Sequence, residues 1–190
     1  MPRQHCKKDM ILHSTNGKSP KASFAEGIAN GLAPDGGLYM PDTLPRLPQA
    51  FFKNIAEMSL KEIAYVISNT LFGEILSSSS IKKIVDESLN FSIPLRQIRD
   101  NIYVLELFNG PTLSFKDVGA RFMAHLLPVI VSQGSGHREI ILASSGDSGG
   151  AVANAFQRAS STTVNVLFPR GELTTQQISQ FATLRNVRAI

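Results

Sequence analysis

Two short segments hold the residue types that can do chemistry. The first reads Ser144-Ser145-Gly146-Asp147-Ser148-Gly149-Gly150, with Ser148 beside an acid and among small residues. Such a stretch suits either a nucleophilic serine or a backbone cradle for an anion. The second reads Asn109-Gly110-Pro111-Thr112-Leu113-Ser114-Phe115-Lys116-Asp117, a turn followed by a helical pattern. A lysine at a helix start meets the positive end of the helix dipole. Leu113, Phe115 and Phe122 would desolvate it in the same direction. Both effects favour the neutral amine that can form a Schiff base. Asp117 would oppose them if it faced the lysine. Taken alone, the segment also fits an exposed helix lysine.

The string Gly146-Asp147-Ser148-Gly149-Gly150 also surrounds the nucleophile of chymotrypsin-like proteases, but that reading lacks its partners. Such a site needs a histidine base, an orienting aspartate and two β-barrels. His125 falls in a helical pattern, His137 in a Gly-rich loop, and His5 and His13 near the start of the chain. Ala151-Val152-Ala153-Asn154-Ala155-Phe156 continues as a helix, not a barrel strand. The elbow G-x-S-x-G fails because Ser148 stands one position late. Gly17-Lys18-Ser19 lacks the earlier glycine of a P-loop. What remains is a strand, a Ser/Gly loop and a helix start, where unpaired backbone N–H groups hold anions. A turn that merely begins a helix has the same spacing.

The elements that place these segments are legible in outline. Ser23 and Glu26 form a capping box opening a short helix, and Ser59 and Glu62 open a second over Ile63, Val66, Ile67 and Leu71. With a helix over residues 81–89, capped from the Ser77–Ser80 run, residues 50–90 read as a small helical layer. Beyond Pro94 the pattern alternates. Strands are expected over residues 102–107, 139–143, 163–168 and 187–190, with helices over 116–132, 148–158 and 173–184. The crossovers are long enough for parallel pairing, and the apolar runs suit strands covered on both faces. The expected fold is α/β: an open, mainly parallel sheet with flanking helices, preceded by a small N-terminal helical region. The boundary lies near residue 93, giving regions 1–93 and 94–190. Because the last strand coincides with the last residues, the α/β region is expected to be incomplete.

With 190 residues, 43% of them hydrophobic and 18% charged, the chain can bury a core. The net charge of +4 is scattered, with Lys7-Lys8 and Lys82-Lys83 the adjacent pairs. No basic stripe interleaves with aromatics, so no nucleic-acid partner is expected; a mildly basic surface suits an anionic small substrate. Cys6 is the single cysteine, so no internal disulfide forms. The run Met10-Ile11-Leu12 is too short for a signal sequence or a membrane span. A soluble, cytoplasmic protein without a membrane or metal partner is expected.

The lysine segment, continued by Gly119-Ala120-Arg121-Phe122-Met123, closely resembles that of the threonine synthase family. The Ser144–Gly149 loop resembles the family's Thr-Ser-Gly-Asp-Thr-Gly loop. Ser14-Thr15-Asn16-Gly17, Ser23-Phe24 and Gly31-Leu32-Ala33-Pro34-Asp35-Gly36-Gly37-Leu38-Tyr39-Met40-Pro41 resemble its N-terminal region, and Phe168-Pro169-Arg170-Gly171 its next strand end. The matches run in order across nearly the whole chain. The resemblance implies a fold-type II, tryptophan-synthase-β-like enzyme that converts O-phosphohomoserine and water to threonine and phosphate with pyridoxal 5'-phosphate. It implies Lys116 as the Schiff-base lysine and proton-transfer base, and Asp147 near the cofactor ring hydroxyl. Ser144, Ser145, Gly146, Ser148 and Gly149 would bind the substrate carboxylate. Arg170 would meet phosphate or lie on the surface, and Arg121 would be structural. Asn109 stands where the family commonly has His, Ser148 replaces Thr, and Leu184-Arg185-Asn186 lacks an expected glycine. The resemblance covers the family's N-terminal portion; the loop for the cofactor phosphate lies beyond it. The isolated chain is therefore expected to be weak or inactive, with a complementing C-terminal half or a homo-oligomer as partner. Two other readings stand beside this one. They are a non-catalytic fragment or interaction module, and another pyridoxal phosphate lyase of the same fold.

Overall fold

A computed structural model describes residues 10–131, 136–159 and 161–190. Cys6, His5 and Lys7-Lys8 lie outside the described residues. The chain divides into two compact units, and the described parts of the first are residues 10–86 and 127–131. This unit opens with β1 (Ile11–Ser14), β2 (Ala22–Ser23), α1 (Phe24–Asn30) and β3 (Tyr39–Pro41). Strand β1 pairs antiparallel with both β2 and β3, forming a three-stranded sheet. The capping box of Ser23 and Glu26 starts α1 as expected. Helices α2 (Gln49–Asn54), α3 (Leu60–Phe72) and α4 (Ser78–Ser88) follow, within the stretch expected to be helical. Ser59 and Glu62 cap α3 reciprocally, and the Ser77 hydroxyl accepts from the Ser80 N–H at 3.1 Å. Ile81, Ile84 and Val85 on α4 are buried.

Asp35 ties the loops of this unit together. Its carboxylate accepts from the Ser14 hydroxyl at 2.6 Å, the Lys18 N–H at 2.9 Å and the Gly37 N–H at 3.0 Å. Asn16 donates to its carbonyl at 2.9 Å. The Ser14 hydroxyl holds the Asp35 carboxyl well below the usual carboxylate range, against an opposing desolvation. The N–H groups of Gly37 and Lys18 and the Ser19 hydroxyl add to the effect.

The second unit comprises residues 87–126, 136–159 and 161–190 of those described. It holds β4 (Leu95–Arg99), β5 (Ile102–Leu105), α5 (Lys116–Ile130) as far as residue 126, β6 (Arg138–Ala143), α6 (Asp147–Phe156), β7 (Thr162–Leu167), α7 (Thr175–Ala182) and β8 (Val187–Ala189). The sheet β6-β7-β8 is parallel throughout, and α6 and α7 pack on it. Its core centres on Val164, Val166 and Phe181, all fully buried.

One expected strand belongs elsewhere. Residues 102–107 were expected to begin the parallel series. Instead β5 pairs antiparallel with β4, in a hairpin turned at Asp100 and Asn101, and the strand stops at Leu105. A two-residue loop can join only antiparallel neighbours, and Asn101 takes the left-handed turn conformation at φ 58°. The burial of the parallel strands also departs from expectation. Strand β7 is buried on both faces from Thr162 to Val166, but β6 alternates, and Ile141 is 71% exposed.

Candidate active site

Lys116 is the first residue of α5, and a tight turn delivers it there. The Leu113 N–H donates to the Gly110 carbonyl at 3.1 Å, and Leu113 itself is left-handed at φ 58°. The Lys116 N–H donates to the Ser114 hydroxyl at 3.3 Å. Its Nζ lies over the Phe115 ring, 5.6 Å from the centroid, and among the described residues no carboxylate pairs with it. The fully buried carboxylate of Asp117 is committed to Thr112. Successive helix residues do not share a face. Arg121 donates to the carbonyls of Ser88 and Glu87 and to Asn90, and lies over Phe91, a structural set of contacts. Asn109 is exposed and reaches the carbonyls of Ser92 and Glu106.

The Ser/Gly loop joins β6 to α6, as its composition suggests. Gly146 is the N-cap at φ 130°, and Asp147 is a first-turn residue. The buried Ser144 hydroxyl accepts from the N–H groups of Gly146 at 3.1 Å and Gly149 at 2.7 Å. Three of the expected anion-binding groups are thus spent on each other. This leaves the N–H groups of Asp147 and Ser148 as first-turn donors without a helical partner. A Cβ on Gly149 would stand 2.8 Å from Val166 Cγ1, so its absence lets α6 lie close on β7. Ser145 and Asp147 are exposed, and Ser148 is half-buried.

The two segments meet. Lys116 from α5 and Ser148 from α6 line one cavity of about 530 Å³, entirely within the second unit. Leu107, Phe115, Val118 and Val152 make its walls apolar, and Gly119 and Ala120 keep it open beside the lysine. Ser144, Ser145, Gly146, Asp147 and Gly149 do not line it, and Arg170 is exposed in the turn after β7. Sequence reasoning passed over Gly119, Ala120 and Val152, although helical spacing carries the signal. The first two lie three and four residues beyond Lys116, and Val152 lies four beyond Ser148. Among the described residues no group of side chains could hold a metal ion, and no helix is long and apolar enough to cross a membrane.

The family profile described as threonine synthase N terminus matches residues 12–89. The threonine synthase of Haemophilus influenzae is 35% identical over 182 residues, covering 95% of this chain and 42% of the relative. The chain is similar to the N-terminal portion of threonine synthases. Solved structures agree. That of pyridoxal-phosphate-bound threonine synthase from Brucella melitensis matches with a TM-score of 0.85 and 33% identity, over 95% of this chain and 40% of that one. Threonine synthase from Escherichia coli matches with a TM-score of 0.86 and 31% identity, over 95% and 42%. The chain thus spans about two fifths of the length of these threonine synthases, and the mixed α/β fold is theirs.

Proposed function

We propose that this chain carries the lysine-bearing part of a threonine synthase active site. The reaction is the pyridoxal-phosphate-dependent conversion of O-phosphohomoserine and water to threonine and phosphate. The observation that carries the reading is the shared cavity of Lys116 and Ser148, two residues from separate segments. Its apolar walls, the small residues beside the lysine and an amine without a carboxylate partner suit a flat aromatic aldehyde. Pyridoxal phosphate, when bound, supplies the electron sink for charge that develops on the substrate carbon.

The chain's own residues supply holding and proton transfer. Lys116 would hold the cofactor covalently and, once released, move protons at the substrate's α and β carbons. In that role the neutral amine is the working form, since an ammonium cannot accept a proton. The Ser148 hydroxyl and the N–H groups of Asp147 and Ser148 would bind the substrate carboxylate at the positive end of α6. Ser144 keeps that loop in shape, with Ser145, Gly146 and Gly149 as its frame. The Asp147 carboxylate would serve the ring hydroxyl. The rest of the site belongs to the portion of a threonine synthase that this chain does not span, whether joined to it or supplied as a complementing partner. The single cysteine supports a cytoplasmic setting.

Phosphate and threonine release from O-phosphohomoserine tests this reading. The chain would be assayed together with the C-terminal portion of a threonine synthase. Turnover is expected with both portions present, to be lost in Lys116→Ala, and to show a raised KM in Ser148→Ala. Turnover that survives Lys116→Ala overturns the assignment.

A further inference from the structure

We propose that Asp117 is the positioning residue for Lys116, acting through the turn that precedes α5. The proposal rests on Lys116 being the working amine. Asp117 is fully buried, and its carboxylate uses both oxygens on one residue. Oδ2 accepts from the Thr112 N–H at 2.8 Å and Oδ1 from the Thr112 hydroxyl at 2.7 Å. This clasp fastens residue 112 to residue 117 and closes a short loop that contains Leu113, Ser114, Phe115 and Lys116. Gly110 packs directly on the clasp, where a Cβ would stand 2.5 Å from Oδ2.

The loop needs such a clasp. Leu113 is left-handed at φ 58° yet 76% exposed, so packing of its own side chain cannot hold that conformation. A strained residue persists only where its surroundings over-determine it. Here the fixed ends are the Gly110 carbonyl and the Asp117 carboxylate. Charge-assisted hydrogen bonds to a buried carboxylate are among the stronger ones available for this. Released from Asp117, Leu113 relaxes, and Phe115 and Lys116 shift with it relative to the cavity they line. Asp117 touches neither cavity nor substrate; it acts through Thr112.

The test reads Lys116 itself. Reductive methylation with formaldehyde, followed by peptide mass spectrometry, gives the rate at Lys116 relative to exposed Lys53 in the same chain, across a pH series. Hydrogen exchange over residues 112–118 is followed in parallel. Asp117→Asn removes an acceptor and is expected to change the relative rate by roughly threefold or more and to speed exchange in the turn. Thr112→Val removes the hydroxyl alone and is expected to change both less. Thr112→Ser keeps both donors and is expected to match the parent chain. If Asp117→Asn fails to fold, the Thr112 pair decides by the same readouts. An unchanged Lys116 rate in the folded variants, or a change shared equally by Lys53, overturns the proposal. Absence of cofactor attachment at Lys116 would instead overturn the reading of that lysine, and the methylation measurement does not depend on it.

Discussion

Ser144 illustrates how one hydroxyl can organise a loop by occupying it. Its oxygen takes the N–H groups of Gly146 and Gly149, both buried. Ser144→Ala leaves two buried donors without an acceptor, at about 1–3 kcal/mol for each. Urea unfolding is expected to show a loss of that order. An unchanged midpoint would mean that the loop does not depend on the serine. Asp35 plays the corresponding part in the first unit, with a pH signature. Its folded-state carboxyl is held below the ordinary range, first by the Ser14 hydroxyl. The stabilisation it provides is therefore present above its unfolded pKa and is lost as pH falls through the lower folded value. Asp35→Asn is expected to melt below the parent chain at neutral pH. The gap should close as pH falls beneath the ordinary carboxylate range. A gap of the same size at every pH would contradict this account.

At the scale of elements, α6 depends on the bare face of Gly149. Gly149→Ala would bring its Cβ to 2.8 Å from Val166 Cγ1 and 3.1 Å from the Ser144 hydroxyl. The helix must then move off β7, at about 1–3 kcal/mol, which a thermal melt would register. A melt equal to the parent's would show that α6 has slack. Features with a local cause were legible in the sequence. The capping boxes at Ser23 and Ser59, the helices α3 to α7 and the strands β6 to β8 all followed from spacing and cap chemistry. Pairing was not, because periodicity marks a strand without naming its neighbour. Strand β5 was therefore placed with the parallel series rather than beside β4. The β1-β2-β3 sheet was missed because its strands are only two to four residues long. At the site, Lys116 and Ser148 were singled out by residue type and local pattern, and they share a cavity. The occupied state of Ser144 could not be read, since only folded geometry shows which N–H groups a hydroxyl takes.

At the scale of the whole chain, much apolar strand surface lies open. Every residue of β4 and β5 is exposed, among them Leu95 at 62%, Ile98 at 64% and Leu105 at 53%. An isolated two-stranded hairpin is marginal in water, so this surface contributes little stability by itself. Replacing Ile98 and Leu105 together by Thr places a β-branched strand former at both positions and removes apolar area. The double variant is expected to bind less of a hydrophobic dye while its stability changes by about 0.5 kcal/mol or less per site. Loss of the fold would show that the hairpin is buried in solution. Lys116 lines an apolar-walled cavity proposed to receive an aromatic aldehyde. Borohydride trapping of the chain with pyridoxal phosphate, followed by peptide mapping, tests this without an activity assay. Label concentrated on Lys116, and lost in Lys116→Ala, is the result the account requires. Label spread over the other lysines of a folded chain, or none at all, would contradict it.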